Sequence, residues 1–203
     1  CTTLFRSSIV FERINMVHRL TNGQKRSTKQ SVEVRDLIYE LASHPFFEKL
    51  LTKAQYKRNI DRELVIQCLM LTEKTDKNNF TSFKSSDMDK FIEYYNIKME
   101  DPNEKQFVEK KIENLRKALD KLNENIPDDA KIKQNTIPMC VYGMYRMIRD
   151  QKSTSKYMDW LNEFLASYDT NLDYLQYCSN ATASAEMVNG RLQFFKDAIK
   201  SIT

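Results

Sequence analysis

The sequence predicts an almost entirely α-helical fold, an irregular bundle of about seven to nine helices, from three observations. Breakers are scarce, since the 203 residues hold 3 Gly and 4 Pro. Apolar residues recur at steps of three and four, and the valine- and threonine-rich alternation of a sheet protein is lacking. Hydrophobic residues make up 41% of the chain and charged residues 30%, which supplies a real core and argues against disorder.

Taken in order, Leu4, Phe5, Ile9, Phe11 and Ile14 are dense enough for a short buried helix over residues 4–15. Thr21 followed by Gln24 is a capping-box pattern with Leu20 as its staple, which places Lys25 and Arg26 in the first turns of a short helix. Ser31 caps an amphipathic helix carrying Val34, Leu37, Ile38 and Leu41, with Glu33 in its first turn, and His44-Pro45 stops it. Phe46, Phe47, Leu50 and Leu51 form a short helix. Residues 60–73 form another, whose Leu64, Ile66, Cys68, Leu69 and Leu71 are too apolar for an exposed position. Glu73 to Asn79 reads as a loop, and Ser86 with Asp89 opens the helix of Phe91, Ile92 and Tyr95. Asp101-Pro102 is an N-cap and first-turn pair opening the longest helix, where Val108, Ile112, Leu115, Leu119 and Leu122 make a packing stripe and the mixed charges elsewhere are a solvated face.

Asn125 to Asn135, with Pro127 and two Asp, is the best linker, so the chain divides into helical subdomains at 1–125 and 136–203 or runs on as one domain. Beyond it, Thr136 and Pro138 open a helix of Met139, Val141, Tyr142, Met144, Tyr145 and Ile148. Ser153 opens the next, with Tyr157, Trp160, Leu161 and Phe164. Ser184 opens the last, through Val188, Leu192, Phe195 and Ile199. These stripes read as core rather than binding surface.

No apolar run approaches the roughly 18 residues that span a bilayer, so no membrane partner is expected. Cys1, Cys68, Cys140 and Cys178 show no CxxC or CxH spacing and read as reduced thiols, in keeping with a cytoplasmic protein. Cys1 at the start fits either a processed lipoprotein or a piece of a longer protein; the structured apolar residues that follow it at once favour the second. Gly23, Gly143 and Gly190 are isolated, so there is no phosphate-binding glycine loop, and HExxH, GxSxG and DxDxDG are absent. His18 and His44 with scattered Cys make no zinc site. No catalytic residue and no metal ligand is therefore assigned, and no cofactor is expected in this chain.

One polar cluster has site-like spacing: Phe11-Glu12-Arg13-Ile14-Asn15, then Leu20-Thr21 and Gln24-Lys25-Arg26. Residues 1–30 hold Arg6, Arg13, Arg19, Lys25, Arg26 and Lys29 against Glu12, or 6 − 1 = +5, and the whole chain is +4, leaving −1 for the rest. Arginine offers a fork of donors that fits phosphate oxygens, and Asn15 and Gln24 can read a base or ribose edge. Arg13, Asn15, Arg19, Gln24, Lys25 and Arg26 are thus candidate contacts to a nucleotide or to DNA phosphate. The alternative is that they cap helices and solvate a junction.

Phe11-x-Arg13-x-Asn15, Leu20-Thr21 and Gln24-Lys25 resemble the FxRxN…LT…Q-K/E box of the GmrSD-type restriction-endonuclease family, the DGQQR-motif proteins of bacteria and their phages. Ser184, Val188 and Arg191 resemble the pattern that opens the closing helix of such proteins, so the likeness spans nearly the whole chain but is specific over residues 11–26. It implies a parent protein whose first half is a ParB/sulfiredoxin-like α/β domain that binds and hydrolyses an NTP with Mg²⁺, in many members with a separate HNH nuclease domain. This sequence contains neither DGQQR nor an HNH pattern, and Met16-Val17-His18-Arg19 replaces the usual Asn-Gly-rich turn. The resemblance therefore implies the helical region of a phage or anti-phage defence protein, not catalytic alone, with Arg13 and Asn15 first and Gln24 and Lys25 second at a site completed by the N-terminal domain. A helical protein-interaction module using the 102–125 helix is the alternative.

Overall fold

The computed structural model describes residues 21–73, 82–128 and 130–202. The expected helix over 4–15, the staple Leu20 and the loop after Glu73 lie outside them. The described residues form eleven α-helices and no strand: α1 (Asn22–Ser27), α2 (Val32–Ala42), α3 (Pro45–Leu50), α4 (Lys53–Lys57), α5 (Ile60–Glu73), α6 (Ser85–Glu100), α7 (Pro102–Asn125), α8 (Ile137–Arg149), α9 (Thr154–Ala166), α10 (Leu172–Leu175) and α11 (Ala185–Ser201), with a 3₁₀ turn at Tyr168–Thr170. The all-α class holds, with more helices than the seven to nine expected. The excess lies in pieces of a turn or so, such as α4 and α10.

The helix starts follow from side-chain caps. Thr21 and Gln24 close a full capping box, and Ser31, Ser153 and Ser184 each accept the backbone N–H of the third residue on, supplying acceptors to amides that have no intrahelical partner. Asp101 caps α7 ahead of Pro102, whose missing N–H costs nothing there. His44 both ends α2 and starts α3: its Nδ1 accepts from the Phe46 N–H at 3.1 Å, so its Nε2 carries the proton and donates to Asp120 at 3.0 Å. The start of α6 differs from the expected Ser86–Asp89 pair. The helix opens at Ser85 after an N-cap Lys84 that has no side-chain cap bond, and Ser82 supplies the hydroxyl, accepting from the Lys84 N–H at 3.3 Å and bonding Asp87.

Helix α8 is the hub. Every residue from Ile137 to Tyr145 is buried, because α5, α7, α9 and α11 all pack against it. Two elements that the sequence marked as strongly apolar, α5 and α8, thus face each other at the centre. Helix α7 lays its Val108, Ile112, Leu115, Ala118, Leu119 and Leu122 stripe on this hub and packs α3 and α6 on its flanks. Residues on both sides of the 126–136 connection share one apolar core, and Ile126 and Ile132 within the connection are buried in it. At the C-terminal end the core is aromatic: Phe164 meets Tyr168, Tyr174 and Phe195 edge to face with ring centroids 5.0–5.7 Å apart, the geometry favoured by the ring quadrupole.

Two buried polar groups tie this frame together. Glu73, at the end of α5, is buried and paired with Lys98 of α6 at 2.6 Å and Lys111 of α7 at 2.8 Å. Burial works against the Lys98 charge, yet the Glu73 carboxylate outweighs it and holds the ammonium above its ordinary range. Thr136 caps no helix with its side chain; its hydroxyl instead hydrogen-bonds the Tyr168 and Tyr174 hydroxyls at 3.1 and 3.2 Å, which satisfies three buried hydroxyls at once.

Candidate functional site

Of the six candidate contacts, Arg13, Asn15 and Arg19 lie outside the described residues, and Gln24, Lys25 and Arg26 sit together on α1. Their environments differ sharply. Gln24 is committed to the cap: its Oε1 accepts the Thr21 N–H at 2.9 Å while Thr21 Oγ1 accepts the Gln24 N–H at 3.3 Å. Lys25 is exposed and forms no ion pair among the described residues. Arg26 is 1% exposed, an uncommon state for an arginine on a six-residue surface helix.

The Arg26 guanidinium explains why so short a helix is held. Its Nε donates to Asp89 Oδ1 at 2.7 Å, one terminal nitrogen donates to Glu63, and the other reaches Ser85 Oγ at 2.8 Å and the Ser85 carbonyl at 3.3 Å. Helices α1, α5 and α6 therefore meet on one side chain. Asp89 is shared, since its second oxygen accepts from Lys29 at 3.0 Å and holds that ammonium above its ordinary pKa. Burial pushes the Glu63 carboxyl up, against the pull of the Arg26 charge. With all three guanidinium nitrogens engaged, Arg26 leaves the set of ligand contacts and becomes the buttress of the junction. Its neutralising partners, 37 and 63 residues away, carried no local pattern that links them to it.

A second arginine has the reverse character. Arg191 lies on α11 three residues after Val188 and one before Leu192, on the core face of that helix, and has no exposed surface. Its terminal nitrogens donate to the carbonyls of Tyr177 and Thr182, both at 2.6 Å, clamping the loop before α11. That loop contains Ala181 at φ 46°, a left-handed conformation that costs a residue with a Cβ about 1–2 kcal/mol, so the clamp holds a strained turn. The sequence did carry a signal for Arg191: a charge inside an apolar stripe.

Cys68, Cys140 and Cys178 are free thiols, and burial pushes the Cys140 thiol up to about 12, far from the range of a nucleophile. Among the described residues no group of three or more His, Cys, Asp or Glu is placed to hold a metal ion, and no helix is long and apolar enough to cross a membrane. Compared with known proteins, the chain matches no family model, no curated protein and no solved structure.

Proposed function

We propose that this chain is the helical region of a GmrSD-like phage or anti-phage defence protein, not catalytic by itself, which completes a nucleotide or nucleic-acid site together with an N-terminal α/β domain. The observation that carries the reading is the Arg26 junction. Buried ionic contacts to Glu63 and Asp89 fix the end of the box-bearing segment onto α5 and α6, so α1 forms a rigid shoulder. Lys25 stands exposed on that shoulder, free to meet a phosphate. Preorganised cations of this kind bind anions at lower entropic cost than a mobile tail.

The test is an NTP-turnover assay on the chain alone and on the chain mixed with a DGQQR-bearing α/β domain. The reading expects no ATP or GTP hydrolysis by the chain alone and turnover in the mixture that falls when Lys25 is changed to Glu. Hydrolysis by the isolated chain would contradict it. A second reading, a protein-interaction module, has its own support in Ile97 and Phe107, 71% and 64% exposed on either side of the Asp101 turn.

A further inference from the structure

Arg191 is a buried cation that pairs with no carboxylate among the described residues; carbonyl oxygens take its terminal nitrogens, and its Nε is buried without a hydrogen-bond partner. Burial pulls its pKa below the ordinary arginine value, opposed by Tyr174, Cys178 and Tyr168. A buried charge without a counter-charge costs free energy, part of which an anion bound beside it would recover.

The space for such an anion is present. Arg191 lines a cavity of about 360 Å³ together with Gln67, Phe83, Gln134, Asn135 and Thr182, a volume within the range of small-molecule sites. Among the described residues its wall contains no acidic side chain. Gln67 and Gln134 make no side-chain hydrogen bond among the described residues, so both amides have donors to spare. The lining comes from α5, from the segments that precede α6 and α8, and from the loop before α11. These are held in place by the Phe83 N–H bonded to the Ala183 carbonyl at 2.9 Å and by the Arg191 clamp.

We propose that this cavity binds the phosphate group of a small molecule, with Arg191 as the charge partner and the carboxamides of Gln67, Gln134 and Asn135 as further donors. A charge and donors arriving from three separate segments suit a tetrahedral oxyanion, whose lone pairs point in several directions, better than a planar carboxylate. The site is separate from the α1 shoulder and does not depend on the function proposed for it.

The experiment is thermal unfolding of the full 203-residue chain in inorganic phosphate, acetate or chloride at matched pH and ionic strength. Phosphate is expected to raise Tm saturably, by roughly 5–10 °C at a hundredfold excess over Kd, with no saturable rise in acetate or chloride. Gln134 is exposed, so Gln134→Glu leaves the core intact. It places a carboxylate in the cavity and is expected to abolish the phosphate response while raising Tm in chloride. No saturable shift, an equal shift in acetate, or a phosphate response that persists in Gln134→Glu, as binding at Lys25 would give, overturns the proposal.

Discussion

At the scale of single residues, two positions decide how the frame is held. Arg26→Met would leave Glu63 and Asp89 without their buried partner, and breaking such a pair from one side costs about 3–5 kcal/mol, to be read from urea unfolding. Glu63→Gln should cost less, since Asp89 still neutralises the guanidinium. The pH dependence separates the two further. Burial holds the Glu63 pKa above its unfolded value, so its contribution to stability is complete below the ordinary glutamate value and is lost as pH rises through the folded pKa; Glu63→Gln should remove that loss and flatten stability over this window. Gly143 is the second position. A Cβ there would lie 2.1 Å from the Tyr157 hydroxyl oxygen and 2.5 Å from its ring, and Tyr157 is fully buried with its hydroxyl bonded to the Cys140 carbonyl at 2.9 Å. Gly143→Ala should therefore destabilise by about 1–3 kcal/mol through overpacking; an unchanged unfolding midpoint would mean that α8 and α9 lie further apart.

At the scale of elements, the long helices were legible from their apolar stripes, reinforced by side-chain caps at α2, α7, α9 and α11. The apolar density of residues 60–73 predicts a buried helix, and α5 spans Ile60–Glu73. The Asp101-Pro102 start and the Val108 to Leu122 stripe of α7 are likewise as read. The short elements were not legible, since a helix such as α4 or α10 has too few residues for a period and exists because its neighbours hold it. The α6 start was misplaced because its hydroxyl comes from Ser82, outside the usual cap position. In the candidate site, the capping role of Gln24 could be read locally, whereas burial of Arg26 depends on α5 and α6 closing over it. Helix pairing also has a pH signature: Arg116 of α7 bonds Glu40 of α2 at 2.7 and 2.9 Å and holds that carboxyl below its ordinary value of 4.5. A depressed carboxylate stabilises above the unfolded pKa and loses that stabilisation as pH falls through the folded one. Glu40→Gln should cost at most about 1 kcal/mol at neutral pH, since the pair is half exposed, and should make acid unfolding below pH 4.5 shallower.

For the whole molecule, the uneven charge and the single core fit together. One apolar core joins the helices on both sides of the 126–136 connection, while the excess positive charge sits in residues 1–30. Lys25, exposed on α1, belongs to this basic segment, and binding through such a local excess of charge depends on salt. Contact through Ile97 and Phe107 would depend on buried apolar area instead. The direct measurement is the affinity of this chain for a single-stranded oligonucleotide over a salt series. A phosphate-binding shoulder predicts that log K falls linearly with log salt, by roughly 0.7 per phosphate engaged, with a shallower slope for Lys25→Glu. A flat salt dependence, or a slope that Lys25→Glu leaves unchanged, would contradict the account and favour the apolar partner surface.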